Sequence, residues 1–103
     1  MPIDFIDITI VELDLERSFQ RSGEFWNKVF TLSAEVPEDW SRIFDEVWAG
    51  ARYQPKRHAR IEENALVTIC LPDELQSEHM QFLIGAVART NDAYRAFIAQ
   101  PSA

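Results

Sequence analysis

From Val11 to Phe19 apolar and polar side chains alternate, with Val11, Leu13, Leu15 and Phe19 on one parity and Glu12, Asp14, Glu16 and Ser18 on the other. Alternation of period two sends the two sets to opposite faces of an extended chain, the pattern of a strand with one buried side. Just upstream, Ile6, Ile8 and Ile10 alternate in the opposite phase. That change of phase predicts a β-bulge or bend between Ile10 and Val11. "QRSG" (20–23) is a turn cluster, and a second strand is predicted from Phe25 to Ala34. Pairing Val11 with Leu32, Leu13 with Phe30 and Arg17 with Trp26 brings the apolar faces of this hairpin together.

The period then lengthens. "VPEDWSRIFDEVWAG" (36–50) begins with Pro37, whose missing N–H is no loss in a first helical turn, and Glu38 and Asp39 complement the positive end of a helix. Trp40, Ile43, Phe44, Val47 and Trp48 form one apolar stripe, and Gly50 suits the stop. "RIEENALVTICL" (60–71) returns to period two and predicts a second hairpin. A three-residue loop, Glu62-Glu63-Asn64, pairs Ile61 with Ala65 and Ala59 with Val67. Residues 71–99 then predict a long helix with Leu75, Phe82, Leu83, Ala86, Val87, Tyr94, Phe97 and Ile98 on one side. Its length of about 40 Å exceeds what a small sheet needs, so the last turns are expected to project, kink near Asn91-Asp92, or meet another subunit.

The expected order is ββαββα: an α+β two-layer sandwich with a mainly antiparallel four-stranded sheet and two helices on one face. "VPEDW" and "LPDEL" stand 35 residues apart and share an apolar-Pro-acid-acid-apolar pattern. They read either as two junctions with similar capping or as a duplicated ββα unit. At 103 residues the chain predicts one domain over 1–99 and a short tail over 100–103. With 47% apolar residues the body is globular rather than disordered. The single Cys70 excludes an internal disulfide and suits a reducing, cytoplasmic setting. The acid-studded start has no basic n-region of a signal peptide, and no apolar run reaches the ~20 residues of a membrane span.

The net charge is −7, yet "RYQPKRHAR" (52–60) holds four of the ten Lys and Arg residues and no acid. A non-specific nucleic-acid binder of this size is normally basic overall, so the total field opposes that role while the local field favours it. The predicted register sets Lys56, His58 and Arg60 on the outer sheet face, opposite in charge to an outer row of Glu12, Asp14 and Glu16. As neighbouring strands these rows would satisfy each other across the ladder. On an edge strand the cations would deter strand addition. If the rows stay apart, the outer face fits a charged protein partner or a self-complementary homodimer. Alternatively, Arg52, Lys56, Arg57 and Arg60, with Tyr53 to stack a base, make an anion or single-stranded nucleic-acid groove.

Motifs for catalysis, metals and nucleotides are absent: there is no CxxC, HExxH, Walker loop, GxGxxG or GxSxG. In the predicted register Cys70 and His58 share the outer face, which leaves open a Cys–His nucleophile. His79 falls on the apolar stripe of the last helix, where a hydrogen-bonded core histidine is the commoner reading. The acidic row lacks a second ligand-bearing element and reads as a solvated face rather than a metal site. Trp26 is expected to be partly exposed, with a cation–π contact to Arg17. The expected function is thus a non-enzymatic protein-interaction module, such as an accessory subunit, an inhibitor or an immunity-type protein, with no cofactor, metal or membrane. Nucleic-acid or anion binding through 52–60 is the alternative, and a small enzyme using Cys70 and His58 comes third.

Overall fold

The computed structural model describes residues 5–21, 23–51, 57–71, 73 and 79–99. Among these residues five strands and two helices run in the order β1 (Ile10–Leu13), β2 (Phe19–Gln20), β3 (Trp26–Leu32), α1 (Glu38–Gly50), β4 (His58–Glu62), β5 (Ala65–Cys70) and α2 (His79–Ala99). The strands form an open antiparallel sheet, an α+β architecture with β3 and β5 at its centre. The order across it is β1-β3-β5-β4, with β2 also on β3, beyond β1.

The alternating run 11–19 is not one strand. Leu13 opposes Phe30 as expected, but Leu32 opposes Ile10, and the ladder shifts between Ile10 and Glu12. Val11 is the extra residue of a bulge and stands 57% exposed. Asp14 then turns the chain. Its Oδ1 accepts the backbone N–H groups of Glu16 and Arg17 at 3.1 and 3.2 Å, offering the backbone an alternative to the ladder. Ser18 Oγ bridges the gap, donating to the Asp14 carbonyl and accepting from Val29 N–H. Leu15 is therefore 75% exposed in a turn, and pairing resumes with Phe19 opposite Asn27 and Gln20 opposite Trp26. Trp26 is half-buried, but its cation is Lys28, 4.6 Å from the ring centroid, and not Arg17.

The second hairpin closes more tightly than expected. Glu63 and Asn64 both have positive φ, 49° and 62°, which makes a two-residue turn of the kind that matches strand twist. Asn64 also accepts the Val36 N–H, tying this turn to the approach to α1. Glu62 consequently opposes Ala65, Ile61 opposes Leu66 and Ala59 opposes Thr68. This register is one residue from the expected one, and a one-residue slip exchanges the faces of a strand. Leu66, Thr68 and Cys70 turn toward the helices, whereas Ala65, Val67 and Ile69 turn away.

Pro37 caps α1, Trp40, Ile43, Phe44 and Trp48 are buried along it, and Gly50 is its last residue. Trp40, Phe44 and Trp48 stack with centroids 6.0 and 6.2 Å apart. Their cluster takes in Ile8, Phe30, Leu32, Ala59 and Leu66 from the sheet side and Leu83, Ala86 and Val87 from α2. Inside it Asn91 acts as a surrogate strand. Its Oδ1 accepts Ile8 N–H and Trp40 Nε1–H, both at 3.0 Å, and its Nδ2 donates to the Ile8 carbonyl at 2.8 Å. The helix runs unbroken through Asn91. Its last turns do not project, because Tyr94 packs on Phe5 and Arg95 pairs with Asp7. The "LPDEL" echo and the tail 100–103 fall largely or wholly outside the described residues.

Candidate functional site

The inner face of the sheet is occupied by α1 and α2; among the described residues no helix crosses the outer one. The register assigns this outer face to Glu12, Phe19, Asn27, Val29 and Thr31 on one half. Ala65, Val67, Ile69, His58, Arg60 and Glu62 make up the other half. Its centre is apolar, since Val29, Ala65 and Val67 form a small buried cluster of their own. They are shielded by the long side chains of the strands that flank them.

Above Val29 and Val67 lies a groove of about 360 Å³ lined also by Arg17, Phe19, Arg21, Asn27, Arg60 and Glu62. Arg60 is held by Glu62 at 2.7 Å, and Arg17 approaches Glu63 at 3.9 Å. The Arg21 side chain has no ion pair or hydrogen bond among the described residues. Asn27 is 5% exposed, and its amide likewise takes no hydrogen bond there. No fully buried side-chain polar atom among the described residues lacks a partner, so the remaining accessible area of that amide opens onto the groove.

Of the basic stretch only Arg57, His58, Ala59 and Arg60 are described, and its described polar side chains point to different surroundings. Arg52, Tyr53 and Lys56 lie outside the described residues. Arg57 stacks on the Phe25 ring at 5.1 Å, and its carbonyl accepts Trp48 Nε1–H. His58 is exposed opposite Ile69, and Arg60 belongs to the groove. The acidic set is dispersed as well. Glu12 opposes Thr31 on β1, Asp14 holds the turn, and Glu16 lies in that turn rather than in a row with them. β1 and β4 are opposite edges with β3 and β5 between them, so the two charged strands do not meet across a ladder.

The Cys70–His58 nucleophile fails for the same reason as the predicted hairpin. Cys70 opposes Trp26 on the inner face and is fully buried, while His58 is on the outer face. His79 is buried in the core, with Nε2 2.9 Å from Thr68 Oγ1 and its ring at the edge of Trp48. Thr68 Oγ1 donates to the His58 carbonyl, which leaves it to accept the proton of His79 Nε2. Among the described residues no three His, Cys, Asp or Glu side chains gather where a metal ion would bind. No helix among them is long and apolar enough to cross a membrane.

Arg17, Phe19, Arg21 and Asn27 are the site residues that sequence reasoning missed. A signal for three of them is present, because Arg17, Phe19 and Arg21 recur at period two through the turn cluster. The structure defines a class, an open antiparallel α+β sheet with one helix-covered face and one arginine-rimmed face that no helix crosses among the described residues. No protein-family model, curated protein or solved structure matches the chain.

Proposed function

We propose that this chain is a non-enzymatic protein-interaction module of the cytoplasm that binds a partner protein through the outer face of its sheet. The observation that supports this most is the uncovered face itself, where an apolar floor and the 53% exposed ring of Phe19 lie among arginines. Aromatic and Arg side chains around an apolar centre are the composition of interface hot spots. An accessory subunit, an inhibitor and an immunity-type protein all work by such surfaces. The ββα pair, if duplicated, would supply the sheet with both helices on one side. A homodimer through the same face is the form the reading takes when the partner is a second copy. Capture from native lysate with wild type, Phe19→Glu and Ile84→Glu tests it, with sedimentation of the free protein to count chains. Phe19 is exposed on the outer face and Ile84 on α2, so both variants are expected to fold. Partner or self-association should survive Ile84→Glu and be lost in Phe19→Glu; equal capture by all three removes the reading.

The second reading, nucleic-acid or anion binding through 52–60, draws support from the open flank of β4 at the sheet edge. Against it, Arg57 is stacked on Phe25 and Arg60 is paired with Glu62. Titration of labelled single-stranded DNA and RNA at two salt concentrations separates the two, because phosphate contacts give a steep salt dependence.

A further inference from the structure

We propose that the groove over Val29 and Val67 is a carboxylate-binding pocket, and that its occupant is an acidic side chain or C-terminal carboxylate of a protein partner. The inference deepens the interaction reading and rests on it for the occupant. Three guanidinium groups, from Arg17, Arg21 and Arg60, reach one depression in a chain whose net charge is −7. Two of them are partly neutralised by Glu63 and Glu62, and Arg21 is left with its donors unused among the described residues. The second, independent sign is Asn27. Its side chain is nine-tenths buried and takes no hydrogen bond among the described residues, and the accessible part of its amide opens onto the same groove as the unpaired cation.

The ligand chemistry follows from the donors. Arg21 presents a planar fork that matches a carboxylate, and Asn27 Nδ2 supplies a neutral donor beside it. The floor of Val29 and Val67 and the wall of Phe19 favour an apolar body behind the charged head. Phosphate fits less well, because Glu62 on the rim repels a second negative charge while tolerating a single one compensated by three arginines. The like net charge of two copies, −7 each, opposes a second copy of this chain as the occupant, although the site itself is cationic.

The test uses benzoate as probe, its neutral isostere benzamide and inorganic phosphate, titrated into the isolated 15N-labelled protein. Benzoate is expected to shift the Asn27 side-chain amide and the Arg21 Nε–H signals, with benzamide and phosphate each at least about fivefold weaker. Arg21→Ala should weaken benzoate by about fivefold, and the exposed-cation control Arg89→Ala should leave it unchanged. Equal shifts from benzamide, tighter binding of phosphate, or indifference to Arg21→Ala overturns the pocket. Failure of benzoate with Phe19-dependent partner capture intact removes the pocket and spares the interaction reading. Benzoate binding with capture indifferent to Phe19→Glu removes the protein as occupant and spares the pocket chemistry.

Discussion

Two buried asparagines divide the molecule. Asn91 is 3% exposed on the helix-covered side of the sheet, and each polar atom of its amide is used, on Ile8 and on Trp40. Asn27 is 5% exposed on the open side, and its amide is bonded to nothing among the described residues. The same residue type at the same depth thus fastens one face and is held in reserve on the other. Buried polar groups are normally satisfied within the fold; Asn91 is, whereas the accessible part of the Asn27 amide faces the groove. Substitutions on the inner face are therefore expected to cost stability, and substitutions on the outer face to cost binding.

The largest effect is expected at Phe44. It is fully buried between Trp40 and Trp48, and Phe44→Ala leaves a cavity that neither ring can fill without abandoning the stack. A loss of ~3–5 kcal/mol is expected in urea unfolding. A loss below about 1 kcal/mol would mean that the covered face is not the core. Asn91→Ala comes next. It strands Ile8 N–H, Ile8 C=O and Trp40 Nε1–H, whose partner it removes at once. At about 1 kcal/mol or more for each orphaned group, a total near 3 kcal/mol is expected, which lowers Tm by roughly 15 °C in a domain of this size. A Tm within about 3 °C of wild type would show that the N-terminal segment does not depend on the clamp.

How far all this was legible in the sequence depended on whether the cause was local. α1 was readable end to end because its signals, Pro37, the acids of its first turn and the apolar stripe, act within one or two turns. The break in the first strand was half readable. The bulge showed as a change of phase, but the turn at Asp14 did not, since a side-chain oxygen taking two backbone donors leaves the alternation of residue types untouched. The second hairpin slipped by one because "ALVTIC" is apolar on both parities, so alternation could not choose between Leu66 and Val67 for the core. The choice falls to the two-residue turn, which places Glu63 in a conformation that glycine or asparagine would adopt more readily. That slip carried the outer apolar floor, and with it the groove, out of view. Asn91 was invisible as a clamp because its main-chain partner is 83 residues away.

A smaller loss is expected at Thr68, on the inner face of β5. Its backbone lies in β5, its hydroxyl reaches the His58 carbonyl and His79 Nε2, and the residue is fully buried. Thr68→Val keeps the shape and removes the hydroxyl that joins β4 to α2. A loss of about 1–2 kcal/mol is expected, because the His79 ring keeps its burial and loses an acceptor. Thr68→Ser, which keeps the hydroxyl, should recover the hydrogen-bond part. No loss in Thr68→Val together with a loss in Thr68→Ser would assign the whole effect to packing.

The smallest stability effect is the sharpest test of the contrast. Asn27→Val places a strand-favouring, apolar residue beside Val29 and Val67, on a floor that is already apolar. On the inner face a buried asparagine cannot be so replaced, since its partners would be orphaned. On the outer face nothing among the described residues depends on the amide. The change is therefore expected to leave stability within ~0.5 kcal/mol of wild type or to raise it, as a buried polar group without a partner is exchanged for a packed methyl pair. Benzoate binding should fall in the same variant, because the neutral donor of the groove has gone. A loss of 2 kcal/mol or more, on the order of a core hydrogen bond, would put Asn27 in the same class as Asn91 and erase the division between the faces. Unchanged stability with weakened benzoate binding would leave Asn27 only one role, that of a donor held for a ligand.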